Sequence, residues 1–193
     1  MTRALVIYCH PLTGSFTEAS NERVLAGLRA AGAEVRLTDL YADGFEPGYT
    51  AHDHTEPAVD PVVLRYLENL SWCDTLILVY PTWWAGPPSM LTGWIDRVWA
   101  REAARRHDGG NENAVPQHRN VRRLVAVTSH GSSKMINLVE GEAGRNTLVR
   151  SMRARCHSGA DAIWIALYAI DSSTLAQREK FLRKVELRIS NLR

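Results

Sequence analysis

The chain has 193 residues, 45% of them hydrophobic and 23% charged, which is enough apolar material for a real core and excludes a disordered segment. Lys and Arg number 23 against 21 Asp and Glu, and a formal charge of +2 argues against a nucleic-acid binder that works through a broad basic face. No apolar run reaches the about 20 residues that cross a bilayer, no signal-peptide pattern opens the chain, and the three scattered cysteines (Cys9, Cys73, Cys156) form neither a disulfide framework nor a metal-type pair, so the expectation is one cytoplasmic domain without membrane insertion or metal.

Apolar β-branched runs alternate with amphipathic stretches. Residues 4–8 form a short continuous apolar run, as expected of a parallel strand buried on both faces. A helix is predicted over 17–31, with Val24, Leu25 and Leu28 on one side and Gly32 as its stop. Residues 34–38 alternate polar and apolar, which suits a strand nearer an edge, and 60–70 read as a helix. A second fully buried strand is expected at 75–80, then a helix over 88–100, a strand at 124–128, a helix near 144–155, a strand at 162–168 and a charged amphipathic helix from 174 to about 191. Five strand candidates separated by helices favour a doubly wound α/β domain with a parallel sheet between two helical layers. Two stretches break the rhythm, 41–57 and 101–119, and both are long enough to be functional loops. In the helix after the third strand, Leu91, Trp94, Ile95, Val98 and Trp99 form a stripe that packs on the sheet for about half of its residues, while large groups on more than one side suggest that part of it meets a second subunit.

In an open α/β sheet, ligands bind beyond the carboxyl ends of the strands, and three such loops are unusual here. The first, His10-Pro11-Leu12-Thr13-Gly14-Ser15-Phe16-Thr17, supplies hydroxyls and the unpaired N–H groups of a helix start, which together can hold a phosphate without Lys or Arg. The alternative is that Ser15 or Thr17 merely caps the helix. Neither a Gly-Lys-Ser/Thr loop nor a Gly-x-Gly-x-x-Gly turn occurs, which speaks against a nucleoside triphosphate site. The second loop, Tyr80-Pro81-Thr82-Trp83-Trp84-Ala85-Gly86-Pro87-Pro88, sets two tryptophans in a rigid turn, a wall suited to a flat apolar ring; either tryptophan taken singly can instead cover the sheet end. The third, Thr128-Ser129-His130-Gly131-Ser132-Ser133-Lys134, is small and hydroxylic, and His130 is its one catalytic candidate, set against the plain reading of a solvated or capped loop histidine.

Taken together these loops resemble the flavodoxin-like quinone reductases of the NAD(P)H dehydrogenase (quinone) type. The specific block is Pro81-Thr82-Trp83-Trp84-Ala85-Gly86-Pro87-Pro88 running into Leu91-Thr92-Gly93-Trp94-Ile95-Asp96-Arg97-Val98, supported by His10-Pro11 with Ser15-Phe16. The resemblance implies a single flavodoxin-like domain over 1–193, a three-layer sandwich with strand order 2-1-3-4-5, and a homodimer holding a flavin non-covalently, FAD or in some members FMN. It implies that His10, Ser15, Phe16 and Thr17 hold the flavin phosphates. Pro81, Thr82, Trp83, Trp84 and Ala85 would line the isoalloxazine, with Trp84 stacking, while Thr128, Ser129, His130 and Gly131 close over its pyrimidine edge. The implied activity is hydride transfer from NAD(P)H, through flavin N5, to a quinone-like small-molecule acceptor in a ping-pong cycle, with the 128–131 backbone N–H groups aimed at the reduced ring. The chain departs from the family in three places: Thr17 stands where Asn is frequent, Ile136 and Glu142 stand near the places of a Tyr–His relay, and 102–106 replace an apolar strip beside the flavin.

Other readings differ in class. An azo or nitro compound can replace the quinone, because a broad apolar face admits many planar acceptors. A flavin-bearing regulatory subunit could use the two long loops to bind a partner. A flavodoxin-type carrier ranks low at a charge of +2, and a hydrolase lower still, because Gly131-Ser132-Ser133 is not a nucleophile elbow.

Overall fold

The computed structural model describes residues 1–51, 53, 60–100 and 118–192. The strands are β1 (Arg3–Tyr8), β2 (Glu34–Asp39), β3 (Thr75–Pro81), β4 (Arg123–Ser129) and β5 (Asp161–Leu167), all paired parallel in the order β2-β1-β3-β4-β5. Between them run α1 (Phe16–Ala30), α2 (Pro61–Trp72), α3 (Ser89–Trp94, widening into the π-helical turn Ile95–Trp99), α4 (Lys134–Val139) and α5 (Ala143–Asn146, continuing as the π-helical Thr147–Met152). After β5 a 3-10 turn, Ile170–Ser172, leads into α6 (Leu175–Ser190), which opens with a capping box between Thr174 and Gln177.

The continuous apolar runs are explained by the pleat. In β1, Leu5, Ile7 and Cys9 enter one core while Ala4, Val6 and Tyr8 enter the other. β3 and β4 divide in the same way: Leu76, Leu78, Leu124 and Ala126 face the first core, and Ile77, Val79, Val125 and Val127 face the second. The first core is closed by α2, α3 and α5, and the second by α1 and α6. A strand that feeds two cores has no polar face to show, whereas the edge strand β2 is mostly open, with Leu37 exposed and Thr38 its one buried residue.

The α3 stripe packs on the sheet: Leu91, Trp94 and Val98 are fully buried, Trp99 nearly so and Ile95 partly, all against the chain's own first core. The stretch after β4 is not only loop, because Ser133 accepts from the Ile136 N–H and starts α4. That helix leaves Met135, Ile136, Leu138 and Val139 exposed. Of the two long breaks, 101–117 lies outside the described residues, together with the departure at 102–106.

Candidate functional site

The strand order reverses between β1 and β3, so the loops after these strands flank the crevice where a doubly wound sheet binds its ligands, and the loop after β4 borders it. In the first loop Gly14 takes φ +68°, and the chain turns into α1 with Ser15 as N-cap, its Oγ accepting from the Glu18 N–H at 3.1 Å. The capping alternative is therefore realised for Ser15. The loop also holds an anionic oxygen, because the Glu18 carboxylate accepts from the Gly14 N–H. His10 folds back on the same loop, its Nδ1 accepting from the Leu12 N–H at 3.2 Å. The Phe16 ring packs on Phe181 of α6 with centroids 5.8 Å apart, and Thr17 is buried, so at these two positions the backbone rather than the side chain faces outward chemistry.

The second loop is a tight reversal. Trp83 and Gly86 exchange both backbone hydrogen bonds (2.9 and 3.0 Å), and the two residues between them, Trp84 and Ala85, adopt φ +48° and +60°. Positive φ at both central positions matches the primed turn that suits Asn-Gly, and holding Trp and Ala there costs on the order of 1–3 kcal/mol each. Trp84 is fully exposed, at 104%, and Trp83 is 42% exposed, so neither covers the sheet end. Pro81 is buried at the end of β3, and the Thr82 N–H is held by the Ser129 carbonyl at 2.8 Å.

A cavity of about 470 Å³ lies between this turn and the loop after β4, lined by Thr82, Trp84, Ala85, His130, Gly131, Ser132, Asn137, Glu140 and Asp171. The 128–131 loop supplies fewer backbone donors than expected, because the His130 N–H is taken by the Leu167 carbonyl at 2.8 Å. The N–H groups of Trp84, Ala85 and Gly131, all on the cavity wall, have no hydrogen-bond partner among the described residues. Thr128 and Ser129 are buried below, and the Thr128 hydroxyl lies 3.1 Å from that of Thr82.

Beneath the cavity the structure joins His130, the candidate of the third loop, to Tyr168 and Glu142, partners that the sequence pattern does not give. His130 is buried, stacked on Tyr168 with centroids 4.6 Å apart and planes 15° from parallel, with Nε2 3.5 Å from the Thr82 hydroxyl. Tyr168 donates to Glu142 at 2.7 Å, Arg145 pairs with the same carboxylate at 3.1 Å, and Glu142 itself stands at φ +43°. Burial pushes the His130 imidazole below its usual range, against the opposing influences of Asn137, Glu142 and Glu140. Burial also raises the Tyr168 phenol, assisted by its bond to Glu142. Cys9 lies in the core with its thiol pushed up to about 12 by burial, which removes it as a nucleophile.

After β2 the described part of the 41–57 stretch is pinned. The Arg97 guanidinium, in the π-helical turn of α3, reaches Asp53 at 3.0 Å and Asp60 at 3.4 Å, and also donates to the Glu46 carbonyl. The Asp53 carboxyl is held down to about 2, because hydrogen bonds from Thr50 and Arg97 outweigh the upward push of burial.

The family described as having a flavodoxin-like fold matches residues 2–157. NAD(P)H dehydrogenase [quinone] 1 of Rattus norvegicus is 28% identical over 160 residues, covering 70% of this chain and 56% of that protein. The uncharacterized NAD(P)H oxidoreductase YcaK of Escherichia coli is 31% identical over 102 residues, 50% of this chain and 52% of that protein. The chain thus spans a little over half the length of the curated relatives it matches. In fold it is similar to an NAD(P)H:quinone oxidoreductase from Methanothermobacter marburgensis (TM-score 0.80, 22% identity, 99% of this chain and 96% of that one). A second similar structure is an FMN-dependent NADH-azoreductase from Bacillus anthracis in complex with FMN (TM-score 0.76, 16% identity, 100% and 99%).

Proposed function

The chain belongs to the flavodoxin-like family, and on that premise we propose that it is a flavin-dependent NAD(P)H oxidoreductase that reduces a quinone-like acceptor. The observation that carries this reading is the cavity between the second and third loops, where an exposed aromatic face, Trp84, stands beside three unpartnered N–H groups. Such a wall fits a ring that is apolar on its faces and polar along one edge. The Glu18 carboxylate on the Gly14 N–H supports the companion role of the first loop, since a donor that holds a carboxylate oxygen can hold a phosphate oxygen instead.

In this reading, the backbone N–H groups of 14–17, with His10 beside them, receive the flavin phosphates, and Glu18 gives way to them. Trp84 lies against the ring, and Trp83 and Ala85 shape the turn that carries it. The N–H groups of Trp84, Ala85 and Gly131 meet the polar edge, where they stabilise negative charge. Bound flavin, FAD or FMN, supplies the acceptance and release of a hydride at N5. The open face admits NAD(P)H and then the acceptor in turn, a ping-pong order. The exposed Met135, Ile136, Leu138 and Val139 beside the cavity support a homodimer formed through α4 rather than α3. Three buried free cysteines support a reducing, cytoplasmic setting, and no helix among the described residues is long and apolar enough to cross a membrane.

The test is anaerobic: purified protein is supplied with FMN or FAD and then with NADH or NADPH. Retention of the yellow band and its saturable bleaching by one donor are expected. A protein that retains neither flavin refutes the reading, and one that retains flavin but is never reduced is a carrier or regulatory subunit.

A further inference from the structure

Resting on the reading of the cavity as the ligand site, we propose that His130, clamped by Tyr168 and Glu142, sets the hydrogen-bond polarity of the Thr82 hydroxyl at the cavity wall. Thr82 is then the residue that meets the ligand, and the other three position it.

The clamp is built outward from Glu142. Its backbone is held in the left-handed region and its side chain is 7% exposed, with one carboxylate oxygen on Arg145 and the other on the Tyr168 hydroxyl. That hydroxyl also accepts from the Trp164 indole N–H at 3.4 Å, so the Tyr168 ring is fixed from two sides. The His130 ring lies nearly parallel against it and cannot turn freely.

The protons follow by elimination. The Asn137 side-chain nitrogen donates to the Ser132 and Ser133 carbonyls, so it is the amide oxygen that remains for His130. Nδ1 of His130 is buried with no hydrogen-bond partner among the described residues; the Asn137 amide oxygen is the acceptor we assign to it, which puts the proton on that nitrogen. In the neutral ring Nε2 is then bare and accepts from the Thr82 hydroxyl, at a long 3.5 Å. Thr82 oxygen is left to accept, from Thr128 on one side and from a ligand donor on the other. When His130 takes a second proton, Nε2–H donates to the Thr82 oxygen, and the Thr82 O–H is released to face the ligand as a donor. One protonation thus reverses what the cavity wall presents, from acceptor to donor. The charged and titratable groups around the imidazole are Tyr168 from the end of β5, Asp171 from the following turn, and Glu140 and Glu142 from between α4 and α5, with Arg145 paired to Glu142.

The experiment begins on the ligand-free chain labelled with ¹⁵N-histidine. Nitrogen shifts at pH 8 are expected to report the Nδ1–H tautomer for His130, and an Nε2–H tautomer overturns the proposal. Glu142→Gln removes a negative charge and is expected to move the His130 titration to lower pH. Tyr168→Ala uncovers the ring and is expected to move it up. If both leave the titration in place, the clamp is refuted. FMN binding is then measured across the titration of His130. The wild-type affinity should change through it, while Thr82→Val should bind roughly tenfold more weakly with no such step. A Thr82→Val variant with the wild-type profile overturns the assignment of Thr82. If the wild type binds no flavin, the reading of the cavity fails, but the tautomer still decides whether His130 sets the polarity of Thr82.

Discussion

After β2 the chain is held by side chains, and after β3 it is held by backbone. The first segment carries Asp53 and the Glu46 carbonyl to a single buried guanidinium on α3, while Pro47 lies so close to α3 that a Cβ on Gly93 would stand 2.4 Å from it. Among the described residues the turn at 83–86 has its own two hydrogen bonds, two positive φ angles and an indole in solvent. Both segments follow the carboxyl end of a strand, yet one is fastened by a network and the other is strained and bare. The difference separates scaffold from site: fixed geometry comes from buried, paired charge, and strain without packing marks the surface kept for something else.

Breaking the fastened side should have the largest effect. Arg97→Met takes the guanidinium from the Glu46 carbonyl and from Asp53, whose carboxylate keeps its Thr50 bonds, and is expected to lower the unfolding free energy by about 3 kcal/mol in urea titration. Gly93→Ala presses on the Pro47 backbone and should cost about 1–3 kcal/mol, with loss of protection from hydrogen exchange in 45–50. On the bare side the sign reverses. Trp84→Gly relieves the left-handed strain and should leave stability unchanged or raise it by up to about 1 kcal/mol. The same variant should retain flavin about tenfold less well, and unchanged flavin content would remove Trp84 from the site. The smallest effect is a dependence on acid. The Asp53 carboxyl is held at about 2 against an ordinary 3.8, so the unfolded chain binds this proton first. The stability it contributes is complete above the ordinary value and drains as pH falls from about 4 towards 2. Acid titration of Arg97→Met should show a smaller component, because the Thr50 hydrogen bonds remain.

The strands could be read because parallel pairing buries both faces, and a run such as 76–79 then has no polar residue to interrupt it. α4 escaped because its apolar residues point outward: no core rewards Met135 or Val139, and periodicity carries meaning only where a core does. The π-helical turns Ile95–Trp99 and Thr147–Met152 also left no mark in the pattern of residues. At the candidate site, the tryptophan turn was visible as a turn, but its handedness was not, since neither Trp nor Ala favours positive φ. The pair Tyr168–Glu142 was invisible for a different reason. The two residues are brought together only because β4 and β5 run side by side, so that the segments leaving their ends meet.

The full exposure of Trp84 also has an optical consequence. Trp94 and Trp99 are sealed in the first core and emit from an apolar environment, whereas the Trp84 indole is surrounded by solvent and emits at longer wavelength. Emission collected at the long-wavelength edge therefore weights the turn indoles, Trp83 and Trp84, over Trp94 and Trp99. The molecule carries its own fluorescent reporter at the mouth of the cavity, readable without a label.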